Sequence, residues 1–138
     1  MINVLTKKIM AQERYLGIWM DHSVAHLMEY THDPIQTKTI ASKFTHQSKE
    51  NALGKSENLM HNKEQYQQSE YYKNLGEVIK NYNEVILFGP TAAKVELLNS
   101  LRSDHSFSKI KIEIKQADKM TENQQHAFVK EHFSRNIF

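Results

Sequence analysis

Four residues near the start of the chain have the side chains of a metal or acid–base site: Asp21, His22, His26 and His32. His22 and His26 are four apart, a spacing that joins two ligands on a helix. The surrounding residues read as strands, where four residues span ~13 Å and the two imidazoles separate. Asp21 lies where a metal-dependent nuclease can place one carboxylate, but such an enzyme needs partners, and no motif surrounds Glu29 or Asp118. The plainer reading is turn chemistry and surface histidines. His126 and His132, six apart on a helix, point to different faces. The chain has no cysteine, which excludes a thiolate zinc site, a cysteine nucleophile and a disulfide scaffold. The expectation is therefore no catalytic residue, no metal and no cofactor.

Three further constellations each carry two readings. Gly89-Pro90-Thr91 with Lys94 leads from a strand into a helix, where backbone N–H groups and a lysine suit an anion. The nucleotide-loop spacing Gly-x-x-x-x-Gly-Lys-Ser/Thr is missing, so a turn capped by Thr91 is the plainer view. Lys43, Lys49, Lys55 and Lys63 outnumber Glu50 and Glu57 in one segment, with His46 and His61 added. Such an arm can lie along RNA phosphates. With no aromatic residue interleaved over 45–63 for base stacking, a solvated loop is the alternative. The run Asp118 to Gln124 offers Asp118, Thr121 and Gln124 as a contact surface for a partner, or simply a loop and a helix cap.

These residues must be positioned by a chain of 138 residues, a length that fits one domain. Net charge is +2 and the pI is near 8.7, short of the usual nucleic-acid footprint above ~9. The longest apolar run, Val85 to Phe88, is far below the ~20 residues of a membrane span. Lys7 and Lys8 follow a short apolar stretch, the reverse of a secretory signal, so a cytoplasmic protein with no membrane partner is expected. Residues 1–14 read as an N-terminal extension and 15–138 as a single domain.

Tyr15–Asp21 and Ser23–Tyr30 read as a β-hairpin, because Asp and His at its turn tolerate positive φ. A third strand follows over Ile35–Phe44. Thr45–Lys63 lacks a period and reads as a long mobile connection. Tyr71, Tyr72, Leu75, Val78, Ile79 and Tyr82 form one face of a helix over Glu64–Tyr82. Glu84–Gly89 is a strand covered on both faces. Thr91 opens a helix whose stripe is Val95, Leu97, Leu98 and Leu101. Lys109–Lys115 alternates as a strand with one wet face. Thr121 to Gln124 fits a capping box, and Ala127, Phe128 and Phe133 supply the apolar side of a last helix. Lys130, His132 and Arg135 sit at its end, where cations suit the dipole.

The order β-β-β-α-β-α-β-α implies one mixed α/β sheet. The first and fourth strands are the most continuously apolar and belong in the centre. The third and fifth have polar faces and several lysines, which suit edges. The resulting order 3-2-1-4-5, with helices on both faces, is a three-layer ribonuclease H-like arrangement.

The stretches LGIWMDHSVAHLMEY, EVILFGPTAAKVELLNSL and IEIKQADKMTENQQHAFVKEHF resemble a family of small bacterial translational machinery proteins. These are similar to the middle domain of class-I eukaryotic and archaeal peptide-chain release factors and of Pelota. The resemblance covers about Tyr15 to Phe133 and implies the same sheet order. In release factors a Gly-Gly-Gln tripeptide between the third strand and the first long helix helps water attack peptidyl-tRNA. The matching segment here, Thr45–Lys63, has one glycine, Gly54, and one glutamine, Gln47, and no Gly-Gly-Gln occurs in the chain. Peptidyl-tRNA hydrolysis is therefore not implied, and the sequence is closer to Pelota in this respect. The expected function is a non-catalytic module binding RNA or the ribosome. The alternatives are a protein-interaction or homodimeric module joined along a sheet edge, and a nuclease using Asp21.

Overall fold

A computed structural model describes residues 13–30, 35–42 and 57–137, with side chains omitted for 57–62 and 135–137. Three strands come first: β1 (Tyr15–Met20), β2 (Val24–Glu29) and β3 (Thr37–Ala41). Helix α1 (Glu57–Ile79), strand β4 (Glu84–Gly89) and helix α2 (Ala93–Arg102) follow. A single 3₁₀ turn (His105–Phe107) leads to β5 (Lys111–Gln116), and α3 (Glu122–Ile137) ends the described chain. The sheet order is β3-β2-β1-β4-β5, as the apolar patterning predicts. β1 pairs antiparallel with β2 and parallel with β4, so the two central strands are the ones with the most continuous apolar runs.

Alternation along β1 divides the core in two. Leu16, Ile18 and Met20 face α1 and α2, together with Val85 and Leu87 of β4. Tyr71, Leu75 and Ile79 of α1 and Leu97 and Leu101 of α2 close that side. Trp19 of β1 and Ile86 and Phe88 of β4 face the other way, under Val129 and Phe133 of α3. Helices thus cover both faces, giving three layers.

Two glycines set close approaches. Gly17 lies under α3, where an added Cβ would stand 2.3 Å from Val129 Cγ2. Gly89 has φ +151°, and an added Cβ would stand 2.2 Å from the Met20 carbonyl oxygen. A side chain is excluded there by both conformation and space.

Several boundaries differ from the sequence expectation. The helix expected to begin at Glu64 begins at Glu57, so residues 57–63 of the expected connection are helical; the remainder, from 45 to 56, lies outside the described residues. Amphipathic spacing marks where a helix meets the core, and the first turns of α1 have few apolar residues to reveal them. The hairpin turn uses no positive φ: among the described residues no non-glycine adopts it. Instead Asp21 Oδ1 accepts the backbone N–H groups of Ser23 (2.7 Å) and Val24 (2.8 Å). The side chain closes the turn as a local Asx motif. β3 begins two residues later and ends three earlier than expected, and β5 begins two later and ends one later, as strands fray where pairing stops.

Helix phase brought the other corrections. Ala92, not Thr91, is the N-cap of α2 and makes no side-chain cap bond, while Thr91 Oγ1 accepts from Ala93 N–H at 3.2 Å. The buried stripe of α2 is Ala93, Lys94, Leu97, Leu98 and Leu101, and Val95 is 43% exposed. A stripe stepping alternately by one and three leaves position 95 outside it. On α3, Ala127 is exposed while Val129 is buried, and His132 is buried rather than serving as a terminal cation.

Candidate functional site

The polar groups collect in four places. The first is the end of the sheet where β1 and β4 run out. Lys94 is only 4% exposed, and its Nζ donates to the Thr91 carbonyl (2.5 Å) and to Gln116 Oε1 (2.9 Å). Gln116 Nε2 in turn donates to the Pro90 carbonyl at 3.3 Å. Burial depresses the Lys94 pKa below the ordinary lysine value. The ammonium thus ties the β4–α2 turn to the end of β5. Gly89, Thr91 and Lys94 do come together, but the lysine is engaged in internal bonds.

Beside this turn a second group links the hairpin to the helices. Tyr72 OH donates to Glu96 Oε1 (2.7 Å), and His22 Nε2 lies 3.2 Å from Glu96 Oε2. Tyr71 OH donates to the Asp21 carbonyl (3.0 Å), and Gln68 Nε2 to the His22 carbonyl (3.3 Å). The Tyr72 hydroxyl, followed by His22, holds the Glu96 carboxyl below its ordinary range. Asp21 and His22 therefore have structural partners. His26 lies apart from them, with Nδ1 3.0 Å from Gln125 Oε1 and its ring stacked on Trp19 at 5.3 Å. His32 lies outside the described residues.

On the α3 side, Thr121 and Gln124 form a reciprocal capping box: Thr121 N–H donates to Gln124 Oε1 (2.8 Å), and Gln124 N–H to Thr121 Oγ1 (3.2 Å). Asp118, Thr121 and Gln124 are all exposed. Next to them a cavity of about 260 Å³ is lined by His26, Thr37, Thr39, Met120, Glu122 and Gln125. Of the four lysines of the basic segment, Lys63 is exposed on α1, while Lys43, Lys49 and Lys55 lie outside the described residues.

The fourth place was not legible in the sequence. Glu84 of β4, Glu113 of β5 and His132 of α3 each bring one ligand atom to within 4.8 Å of the others. The residues are 29 and 19 positions apart and share no motif. Parallel register sets Ile86 opposite Glu113, which puts Glu113 and Glu84 on the face covered by α3. Burial, and then the nearby Lys115 charge, lower the His132 pKa.

Comparison with known proteins bears on the fold. No protein-family model matches the chain, and no curated protein matches it. Among solved structures, Pelota from Archaeoglobus fulgidus superimposes with a TM-score of 0.57 at 8% identity, over 99% of this chain. The chain shares its fold with one part of Pelota. Pelota from Thermoplasma acidophilum gives 0.55 at 17% identity over 93% of the chain. The archaeal translation termination factor aRF1 gives 0.52 at 14% identity over 99%. The chain spans 36% of the length of each Pelota and 44% of the aRF1 chain. Among the described residues no helix is long and apolar enough to cross a membrane.

Proposed function

We propose that this protein is a non-catalytic, translation-related module that binds RNA or the ribosome. What supports this reading is the extent of the structural likeness to Pelota and aRF1, which takes in 93–99% of the chain. The resemblance in residues to small bacterial translational machinery proteins and to the release-factor middle domain points the same way. The missing Gly-Gly-Gln removes the group by which release factors assist hydrolysis, so the module binds without reacting. Lys43, Lys49, Lys55 and Lys63 are the residues assigned to RNA phosphates, and a cytoplasmic setting follows from that partner. Asp118, Thr121 and Gln124 are the residues assigned to a protein contact.

The test is sedimentation of the tagged protein through sucrose gradients at low and moderate salt. Co-migration with ribosomal particles that weakens as salt rises is the expected result, because phosphate contacts release counterions. Absence from the ribosomal fractions at both salts removes the reading.

A further inference from the structure

The geometry points to a divalent-cation site, of the zinc class, formed by Glu84, Glu113 and His132 where β4, β5 and α3 meet. Each residue offers one ligand atom, and the three atoms lie within 4.8 Å of one another. The His132 side chain is 4% exposed and its Nε2 is 3.1 Å from Glu113 Oε2. Glu84 Oε1 and Glu113 Oε2 are both shut off from solvent, and among the described residues neither accepts a hydrogen bond of good geometry; Glu113 Oε2 has only the His132 ring nitrogen beside it. A buried carboxylate oxygen in that state is costly, and two carboxylates so close repel each other. Among the described residues, Lys111 pairs with the group, its Nζ 3.6 Å from Glu84 Oε1 and its side chain 62% exposed. That ammonium reaches the edge of the group from solvent and can swing away.

A metal ion answers both costs. One imidazole nitrogen and two carboxylate oxygens form a mixed donor set that suits zinc better than magnesium, which prefers oxygen alone. Bonds of about 2.0–2.1 Å put tetrahedral ligand atoms roughly 3.3 Å apart. The 3.1 Å pair is already there, and rotation about the glutamate side chains closes the rest. The fourth position falls to water, which reaches the site past Glu113, 40% exposed. The metal's role is to pin the second half of α3 to the sheet edge, independent of the ribosome-binding reading above.

The full chain is titrated with zinc chloride by calorimetry, with magnesium chloride in parallel. The expected result is one zinc per chain, a rise in melting temperature, and no comparable magnesium binding. Glu113→Gln and Glu84→Gln should each weaken zinc binding at least about tenfold, since changes even to outer-shell groups commonly cost 10–100-fold. His126→Gln, on the same helix, should leave it unchanged. Imidazole NMR on the unmodified protein is independent of how the variants fold: zinc should move the His132 ring signals before those of any other histidine. Absence of zinc binding, binding that survives both glutamate variants, or zinc that moves other histidines first overturns the site.

Discussion

The two faces of the sheet are built differently. Under α1 and α2, sixteen buried residues of the described chain form a continuous, mainly aliphatic core that also takes in Tyr71, Tyr72 and Phe107. Under α3 there are seven, among them Trp19, Phe88 and Phe133. The buried or half-buried polar groups His26, Gln125, His132, Glu84 and Glu113 gather on that second side. Apolar area sets stability at roughly 25 cal/mol per Å² buried, so the first face anchors the fold. The second face combines a thinner apolar layer with groups that hydrogen-bond or ligate. The lesson is a difference in emphasis: the first layer supplies most of the apolar burial and uses its polar bonds, at Lys94 and Glu96, to tie turns and helices together, whereas the second sets carboxylates and an imidazole side by side under a thinner apolar cover.

The sharpest way to break this comparison is a pair of truncations compared per carbon removed, three for Leu→Ala and two for Val→Ala. Leu75→Ala on the first face should cost about 2–5 kcal/mol by urea denaturation. Val129→Ala on the second should cost less, and amide exchange should show α3 opening below the global unfolding free energy. Equal costs per carbon removed and a single opening energy would make the two faces equivalent.

Gly17→Ala tests the fit of α3. The new Cβ meets Val129 and forces the helix outward, at about 1–3 kcal/mol. The single tryptophan, Trp19, sits on this face, so its fluorescence should shift as the packing loosens. Unchanged emission and stability would show that the helix yields without cost.

Thr121→Ala removes half of the capping box and should lower stability by about 1 kcal/mol, with the earliest loss in α3 amide protection.

The smallest effect concerns the carboxylates beside α1 and α2. Arg14 first, then Tyr82, hold Glu29 below its ordinary value of 4.5, and Tyr72 first, then His22, do the same for Glu96. Their folded values lie below the unfolded ones, so the unfolded chain takes up protons first. Their stabilisation is full above the unfolded value and is lost as pH falls through the folded value. The urea midpoint should therefore fall below about pH 4.5, less steeply in Glu96→Gln. An identical slope in that variant would remove Glu96 as a contributor. Both groups are partly exposed, so screening keeps the effect modest.

Much of the architecture was readable from the chain. Strand order followed from the apolar runs at 15–20 and 84–89 and the polar alternation at 111–115, because burial on two faces demands what burial on one does not. The Thr121–Gln124 cap was readable because both partners lie within one turn. The burial of Lys94 was not, because a lysine in an apolar stripe becomes tolerable only once Gln116 and the Thr91 carbonyl are brought to it by β5 and the turn.

Local periodicity and short-range bonding, which act between neighbours in sequence, determined the elements, the sheet order and the two caps at Asp21 and Thr121. The rotational phase of α3 on the sheet, the junction of Glu84, Glu113 and His132, and the engagement of His22 by Glu96 were decided by the tertiary structure alone. Each joins residues from separate elements, and their meeting depends on parallel register and helix packing that no stretch of sequence encodes by itself.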